Sequence, residues 1–510
     1  MIHLDTITAL HVPTGTTKKI RTCSRVTGFN TSPSETPPNA IWDPATREPM
    51  HMVRGMFGGG GAGVIDVENS DGWLDAYSDP SEWSFSGQPY EVLSGFPGEP
   101  IADFKTSFTG ILADPEFNRE RVTFNCYDMT ELLNRSLPIP KYLGTNVGPS
   151  GLEGSEDMEG KFRLLALGPC PNITPRCVNT SREIYSAHFR SCQGIPAVYI
   201  DGAPQIFDGD DATPEALDAA TIASGHYRSC KAHGLFRLNT SLGRKVTCDV
   251  LGDNVGGYVE TTAGIARRIL EILAEVDGLL SWSEDDLDAL EAANNAVVCL
   301  FDDSGAKVSA LLEDLFEGPW VWMNPDCLGV LRFGRVEAPD ASPTESWHDD
   351  QSMEADQLAS DDITGPPLGL LSMDYATNWT PMRDAEVPGV VTDERRAWLA
   401  EEFRTVTSTS DGQPDPAVLA KWPYAPSETV KSRFVNKADA ESEVARRVAF
   451  RAAGYRPFRV RRAWESVRTM ELGESRKLYS GRLMLNGLPV KVSKIEAITS
   501  ANEAEIYCYG

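Results

Sequence analysis

The side chains best suited to chemistry in this 510-residue sequence are its clustered cysteines. Cys170, Cys177, Cys192, Cys230 and Cys248 fall within one short region, and soft thiolates at Cys170, Cys177, Cys192 and Cys230 would suit zinc or an iron–sulfur cluster. None of their spacings is CxxC. Two other readings stay open: a Cys170–Cys177 disulfide formed after release from the cell, and separate thiols buried as small apolar side chains. No cofactor is expected.

Other chemistry is weaker. The histidines are scattered, and the one close pair, His226 and His233, lies among turn formers, so hydrogen-bonding or surface roles are expected. Carboxylates are so numerous that pairs spaced for glycoside cleavage arise by chance, and only their separation in a cleft would give one meaning. Asp208-Gly209-Asp210-Asp211 offers hard oxygen ligands for calcium but lacks the spaced ligands and terminal Glu of an EF-hand, and reads as a solvated turn. Gly58–Gly63 contains GxGxxG, yet Val64-Ile65-Asp66-Val67 after it is a strand, whereas a phosphate cradle must open a helix. A flexible glycine loop is the expectation. No GxxxxGK[ST], GxSxG or HExxH occurs, which removes the compact signatures of phosphate cradling, serine hydrolysis and zinc proteolysis.

The elements that must position these residues are mostly strands. Over residues 1–145, short runs of Val, Ile, Phe, Tyr and Thr are separated by Gly, Pro, Asn and Asp; Val64–Val67, Thr106–Leu112 and Arg121–Cys126 are the clearest strands, and Met129–Leu133 a short helix. Strands this short satisfy their edges by curling into a barrel or by pairing with a neighbouring subunit. Residues 146–260 stay β-rich. Residues 261–336 turn mixed α/β: Thr261 or Thr262 can cap a helix with Ile265, Ile269 and Ile272 as its apolar stripe, Ser283 caps another, and Lys307–Phe316 is a third. Residues 337–368, rich in Asp, Ser, Pro and Glu, read as an exposed acidic connection, and 369–510 as a second barrel-like β domain with a helix over 439–453. The fold class is therefore mainly β with α/β insertions, multidomain, with two tube-like barrels flanking a β-rich and a mixed α/β domain.

With 47 basic against 74 acidic side chains the formal charge is −27. Such a chain does not adhere to nucleic acid or anionic lipid without a local basic patch. No run of about eighteen apolar residues and no secretory leader is seen, so a soluble protein made in the cytoplasm, without stable membrane insertion, is expected.

Read in order, Val67–Asp75, Phe85–Val92, Phe108–Leu112, Asp128–Leu133, Pro171–Pro175, Ile195–Gly202, Gly234–Leu238, Val246–Gly252, Met373–Thr380 and the closing Ile495–Tyr509 resemble tail hub proteins of long-tailed bacteriophages and related gene-transfer particles. The resemblance implies a baseplate or tail-tip hub that assembles as a homotrimer, its six barrels continuing a sixfold tail tube. It also implies the partners: the distal tail protein ring, tail fibre or central tip proteins, the tape-measure protein, and DNA in transient passage without specific binding. The implied location is the virion tail tip, assembled in the host cytoplasm, with roles in host attachment and genome ejection. The cysteine group is no part of that pattern. A structural, non-enzymatic hub is thus the leading expectation. A tail-tip glycan or peptidoglycan hydrolase would need two carboxylates in a cleft. A receptor-binding adhesin would need exposed aromatics such as Trp73, Trp83 or Trp320-Val321-Trp322, although large aromatics usually anchor cores.

Overall fold

The computed structural model describes residues 2–23, 43–44, 51–56, 63–96, 99–146, 152–241, 243–348, 354–361, 363–498 and 503–510. The glycine loop read at 58–63 lies outside them except for Gly63, which opens the strand Gly63–Glu68. Among the described residues no helix is long and apolar enough to cross a membrane.

The period-two pattern of the first strands is expressed in the fold. In Arg121–Tyr127, Val122, Phe124 and Cys126 are buried while Thr123 and Asn125 stand on the other face, as the pleat requires. The sheet runs Asp43–Pro44, Thr16–Cys23, Ile2–His11, Pro89–Gly95, Lys105–Leu112, Arg121–Tyr127, Gly63–Glu68, with short flanking strands at Trp83–Ser84 and Glu116–Phe117. It curls into a half-barrel rather than a closed one. Gly110 lets the curl tighten: a Cβ there would stand 2.1 Å from the Tyr127 carbonyl oxygen.

A second half-barrel orders Ser346–His348, Ser475–Tyr479, Asn486–Ile498, Glu503–Tyr509, Pro457–Ala463 and Glu354–Gln357. Its 13-residue strand Asn486–Ile498 is shared along one side. Ser475–Tyr479 pairs with its first half, and His51–Gly55 with its second, from Gly55 opposite Lys494 to His51 opposite Ile498. His51–Gly55 lies in sequence between two strands of the first half-barrel, so the chain leaves one sheet to complete the other. Remote in sequence, the two sheets are neighbours in space. One apolar core runs through both, from Ile7, Tyr90 and Phe124 to Phe458, Trp464 and Tyr509.

Between them the chain builds a four-stranded sheet (Pro169–Ile173, Val246–Asp253, Cys192–Ile200, Ala203–Pro204) and a five-stranded one (Arg176–Asn179, Ile184–Ser186, Leu235–Leu238, His226–Cys230, Ile206–Asp210). Helices Thr262–Ala274, Glu284–Ala293 and Val308–Glu317 follow. Thr261 Oγ1 accepts from the Gly264 amide and Ser283 Oγ from the Asp286 amide, each at 3.2 Å, so both expected caps form and Thr261, not Thr262, is the first. A last sheet, Arg404–Thr407, Leu370–Tyr375 and Ser427–Val430, packs on helix Lys437–Ala452 and joins the core of the three helices, so the start of the 369–510 stretch belongs with the mixed α/β layer.

The acidic stretch 337–368 also differs from an exposed connection. Ser346–His348 and Glu354–Gln357 are edge strands of the second half-barrel, with Trp347 and Ile363 buried. Its acids are accommodated because Asp356 and Glu354 pair with Arg459 and Arg461 on the adjacent strand.

Candidate functional site

The four cysteines do not converge. Cys170 and Cys192 sit in the core between the two central sheets, Cys230 in a separate core with Tyr142 and Leu217, and Cys177 at the margin of the first. Cys170 and Cys177 are on strands of different sheets and are both free thiols. Cys170 Sγ donates to the Leu167 and Leu300 carbonyls at 3.4 and 3.3 Å. Burial pushes the Cys192 thiol up to about 12 and the Cys230 thiol up to about 11. Such groups stay protonated and pack as small apolar side chains. Among the described residues no three His, Cys, Asp or Glu side chains are gathered to hold a metal.

Asp208-Gly209-Asp210-Asp211 is largely strand, not a solvated turn, and protein donors take its carboxylates. Asp208 Oδ1 meets His226 Nδ1 at 2.6 Å, Asp210 Oδ1 accepts from Ser229 Oγ at 2.6 Å, and Asp211 is gripped by both arms of Arg228. His233 is exposed on a 3-10 turn. Trp73 and Trp83 pack against the core of the half-barrels and Trp322 belongs to it, whereas the exposed aromatics include Phe207, Phe403, Trp422 and Tyr424, the last 96% exposed. Nothing in their local sequence separates them from core aromatics.

The structure does bring together segments that the ordered sequence pattern singles out. Asn172, in Pro171–Pro175, donates its backbone N–H to Asp249 Oδ1 at 2.8 Å and its side-chain amide to Asn378 Oδ1 at 2.7 Å and the Thr380 carbonyl at 2.8 Å. Thr174 and Thr380 share a hydroxyl contact at 2.8 Å, and the Asn378 amide continues to the Leu399 and Glu401 carbonyls. Asn172 is fully buried with φ +52°, a left-handed conformation that Asn tolerates better than most residues. This amide relay clamps the central sheet to the 378–401 segment. Asn172→Ala is expected to cost about 2–3 kcal/mol, from two stranded acceptors and the strained backbone, measured as a lower urea midpoint.

The polar face of the second half-barrel is a ladder of cancelled charge. Arg459 Nη2 lies 2.8 Å from Asp356 Oδ2; Arg461 Nε lies 2.8 Å from Glu505 Oε1, and its Nη1 3.1 Å from Glu354 Oε2. One strand further, Lys494 pairs with Glu496 and lies 5.0 Å over the Tyr507 ring. These residues are in register across four adjacent strands, with the His51–Gly55 strand beside them. Arg459, Arg461 and Lys494 form a row of cations on this face, and each of the three is held by a carboxylate.

No protein-family model and no curated protein matches the chain. Solved structures similar to it include the 43 kDa tail protein of prophage MuSo2 from Shewanella oneidensis, at 10% identity over 99% of this chain and 95% of that one, TM-score 0.41. A tail protein from Neisseria meningitidis MC58 matches at 8% identity over 99% and 96%, TM-score 0.43. A chain of the virion of a native gene transfer agent particle matches at 12% identity over 75% of this chain and 92% of that one, TM-score 0.42.

Proposed function

We propose that this chain is a structural component of a phage tail tip: a baseplate hub that assembles as a homotrimer, continues the tail tube, and links the distal tail ring to tip or fibre proteins around the path of the tape-measure protein and DNA. The observation that carries the reading is the pair of half-barrels sewn together by His51–Gly55. Among the described residues, Gly63–Glu68 is laddered on one side only, and so are Ser346–His348 and Glu354–Gln357. Open margins of this kind carry unpaired N–H and C=O groups, and copies around an axis can cover them. Two curved walls per chain make six in a trimer, which matches a sixfold tube.

The charge pattern fits a passage rather than a binding site. A protein holds DNA by neutralising phosphates with free cations, releasing counterions for each one. Arg459, Arg461 and Lys494 already have their counter-charge, and the chain carries a charge of −27, so a polyanion passing such a face meets few free cations. The work is mechanical: matching symmetry and passing a signal through rearranged interfaces. Electron cryomicroscopy of the particle, with native mass spectrometry of the purified chain, tests this. Three copies around the central channel, with the half-barrel edges laddered between copies, are the expected result. A single copy away from the channel overturns it.

A further inference from the structure

We infer that Cys170 and Cys299 are a paired dithiol that a peroxide closes to a disulfide, tying strand Pro169–Ile173 to the segment between helices Glu284–Ala293 and Val308–Glu317. Both are free thiols buried in the same core. The backbone brings them together. Leu167 pairs with Leu300 in an antiparallel ladder, and Gly168 follows at φ +71°, pressed on the facing segment: a Cβ there would stand 2.2 Å from the Val298 carbonyl oxygen and 3.3 Å from Cys299 Cα. Cys170, two residues on, turns its Sγ back to the Leu300 carbonyl, that of the residue after Cys299, at 3.3 Å. The Cys299 amide is tied to the Arg433 carbonyl at 3.0 Å, and the two side chains interact directly. Cys192 and Cys248, in the same core, stand on adjacent strands at different rungs, opposite Asp253 and Val198, and do not meet in this way.

The surroundings favour Cys299 as the nucleophile, because the thiolate rather than the thiol attacks. Burial pushes the Cys170 thiol up, and its neighbour Cys299 adds to the effect. The Cys299 thiol is held below the ordinary value by the Cys170 side chain, the charge of Arg433 and the Trp379 indole, which together outweigh burial and the opposing charge of Asp314. Arg433 lies 4.7 Å over the Trp379 ring and is shared with Asp314 at 2.7 Å. The Cys299 thiolate attacks one oxygen of hydrogen peroxide. The O–O bond breaks, hydroxide leaves and takes up the proton that Cys299 gave up, and the sulfur becomes a sulfenic acid. The Cys170 sulfur then attacks that sulfur, the S–O bond breaks, and the oxygen departs as water with the Cys170 proton. Two thiols and one peroxide thus give one disulfide and two waters. The oxidant must be this small, since the core excludes a bulky disulfide reagent. The chemistry does not depend on the hub reading, which supplies only its occasion: release from a reducing cytoplasm into an oxidising medium.

The test treats the reduced, folded full chain with a small excess of hydrogen peroxide, blocks the remaining thiols with N-ethylmaleimide in denaturant, and identifies linked tryptic peptides by mass spectrometry. A Cys170–Cys299 link is expected as the dominant product, reversed by dithiothreitol. In Cys170→Ala the sulfenic acid on Cys299 has no thiol to condense with, so dimedone should label Cys299 severalfold more than in wild type. The wild-type arm stands whether or not the variant folds. Four results would overturn the assignment: no link in wild type, a link that forms only after unfolding in urea, linkage to Cys192 or Cys248 in equal yield, or equal dimedone labelling in wild type and folded Cys170→Ala.

Discussion

Glu443→Gln is expected to destabilise the protein by about 3–5 kcal/mol, because it strands two buried guanidiniums and a third beside them without their shared counter-charge. Glu443 is 4% exposed. Its Oε2 accepts from Arg335 Nη2 at 2.6 Å and Arg446 Nε at 2.8 Å; its Oε1 accepts from Arg446 Nη2 at 2.7 Å and Arg447 Nε at 3.0 Å. Other N–H groups of these arginines close on carbonyls where helix Val308–Glu317 ends: Arg447 Nη2 reaches Glu317 and Gly318, and Arg335 Nε reaches Pro319 at 3.1 Å. Burial pushes the Arg335 and Arg447 guanidiniums down from their ordinary pKa, and the neighbouring Arg446 pushes the same way. One carboxylate therefore organises three cations, Arg446 and Arg447 on helix Lys437–Ala452 and Arg335 on strand Leu331–Arg335, at the negative end of helix Val308–Glu317.

The measurement is urea unfolding followed by tryptophan fluorescence, since Trp320 lies 5.0 Å from the Arg447 guanidinium and 5.7 Å from that of Arg446. Arg446→Gln, which removes the most exposed of the three cations, should cost about 1–2 kcal/mol, nearer the value of a single charged hydrogen bond. A Glu443→Gln variant within about 1 kcal/mol of wild type would show that the carbonyls alone hold the arginines.

Asp253 should set the acid limit of the central sheets. It is fully buried at the end of strand Val246–Asp253 and accepts from Arg190 Nε, Arg268 Nη1, the Val255 amide at 2.9 Å and His188 Nε2 at 3.4 Å. His188 Nδ1 accepts from the Ala166 amide at 3.1 Å, so the ring proton sits on Nε2 and is donated to the carboxylate. Burial pushes the Asp253 carboxyl up, but the hydrogen bonds and charge of its partners outweigh it and hold the pKa at about 2. Burial also lowers the His188 pKa and keeps the ring neutral.

The two shifts act in the same direction. An Asp carboxyl depressed from about 3.9 in the unfolded chain contributes about 2 kcal/mol that is fully present above about pH 4 and lost as pH falls through the folded value. The unfolded chain also takes up a proton on His188 below about pH 6.5 that the folded chain refuses, so stability declines with acid there too. Asp253→Asn should lower stability at neutral pH by about 3–5 kcal/mol, as it leaves buried Arg268 with only the more exposed Glu271 as counter-charge and removes the carboxylate that Arg190 and His188 share, and should flatten the profile below about pH 4. Urea midpoints across the acid range check both. A variant as stable as wild type at neutral pH would overturn the reading.

Much of the local structure is legible in the residue pattern. The strand expected at Arg121–Cys126 is Arg121–Tyr127, that at Thr106–Leu112 is Lys105–Leu112, and the helix expected at Lys307–Phe316 is Val308–Glu317. The Thr261 and Ser283 caps form because a cap depends on a side chain and an amide three residues away. The candidate site was less legible. The thiols drew notice by spacing alone, but spacing along the chain does not say which sheet face each one enters. The Asn172–Asn378 relay, the Glu443 cluster and the Cys170–Cys299 pair join residues with no common local pattern.

By itself the sequence determined what neighbours in the chain decide: strand and helix periods, caps, a mainly β class, and an excess of acid that disfavours adhesion to polyanions. Only the tertiary structure decided that His51–Gly55 completes the sheet of Asn486–Ile498, that the cysteines divide between cores, and that Arg459, Arg461 and Lys494 meet carboxylates on adjacent strands. The reason is that sheet partners are chosen by register and by burial of a common face. Both depend on the whole chain closing at once, and no window of neighbouring residues contains them.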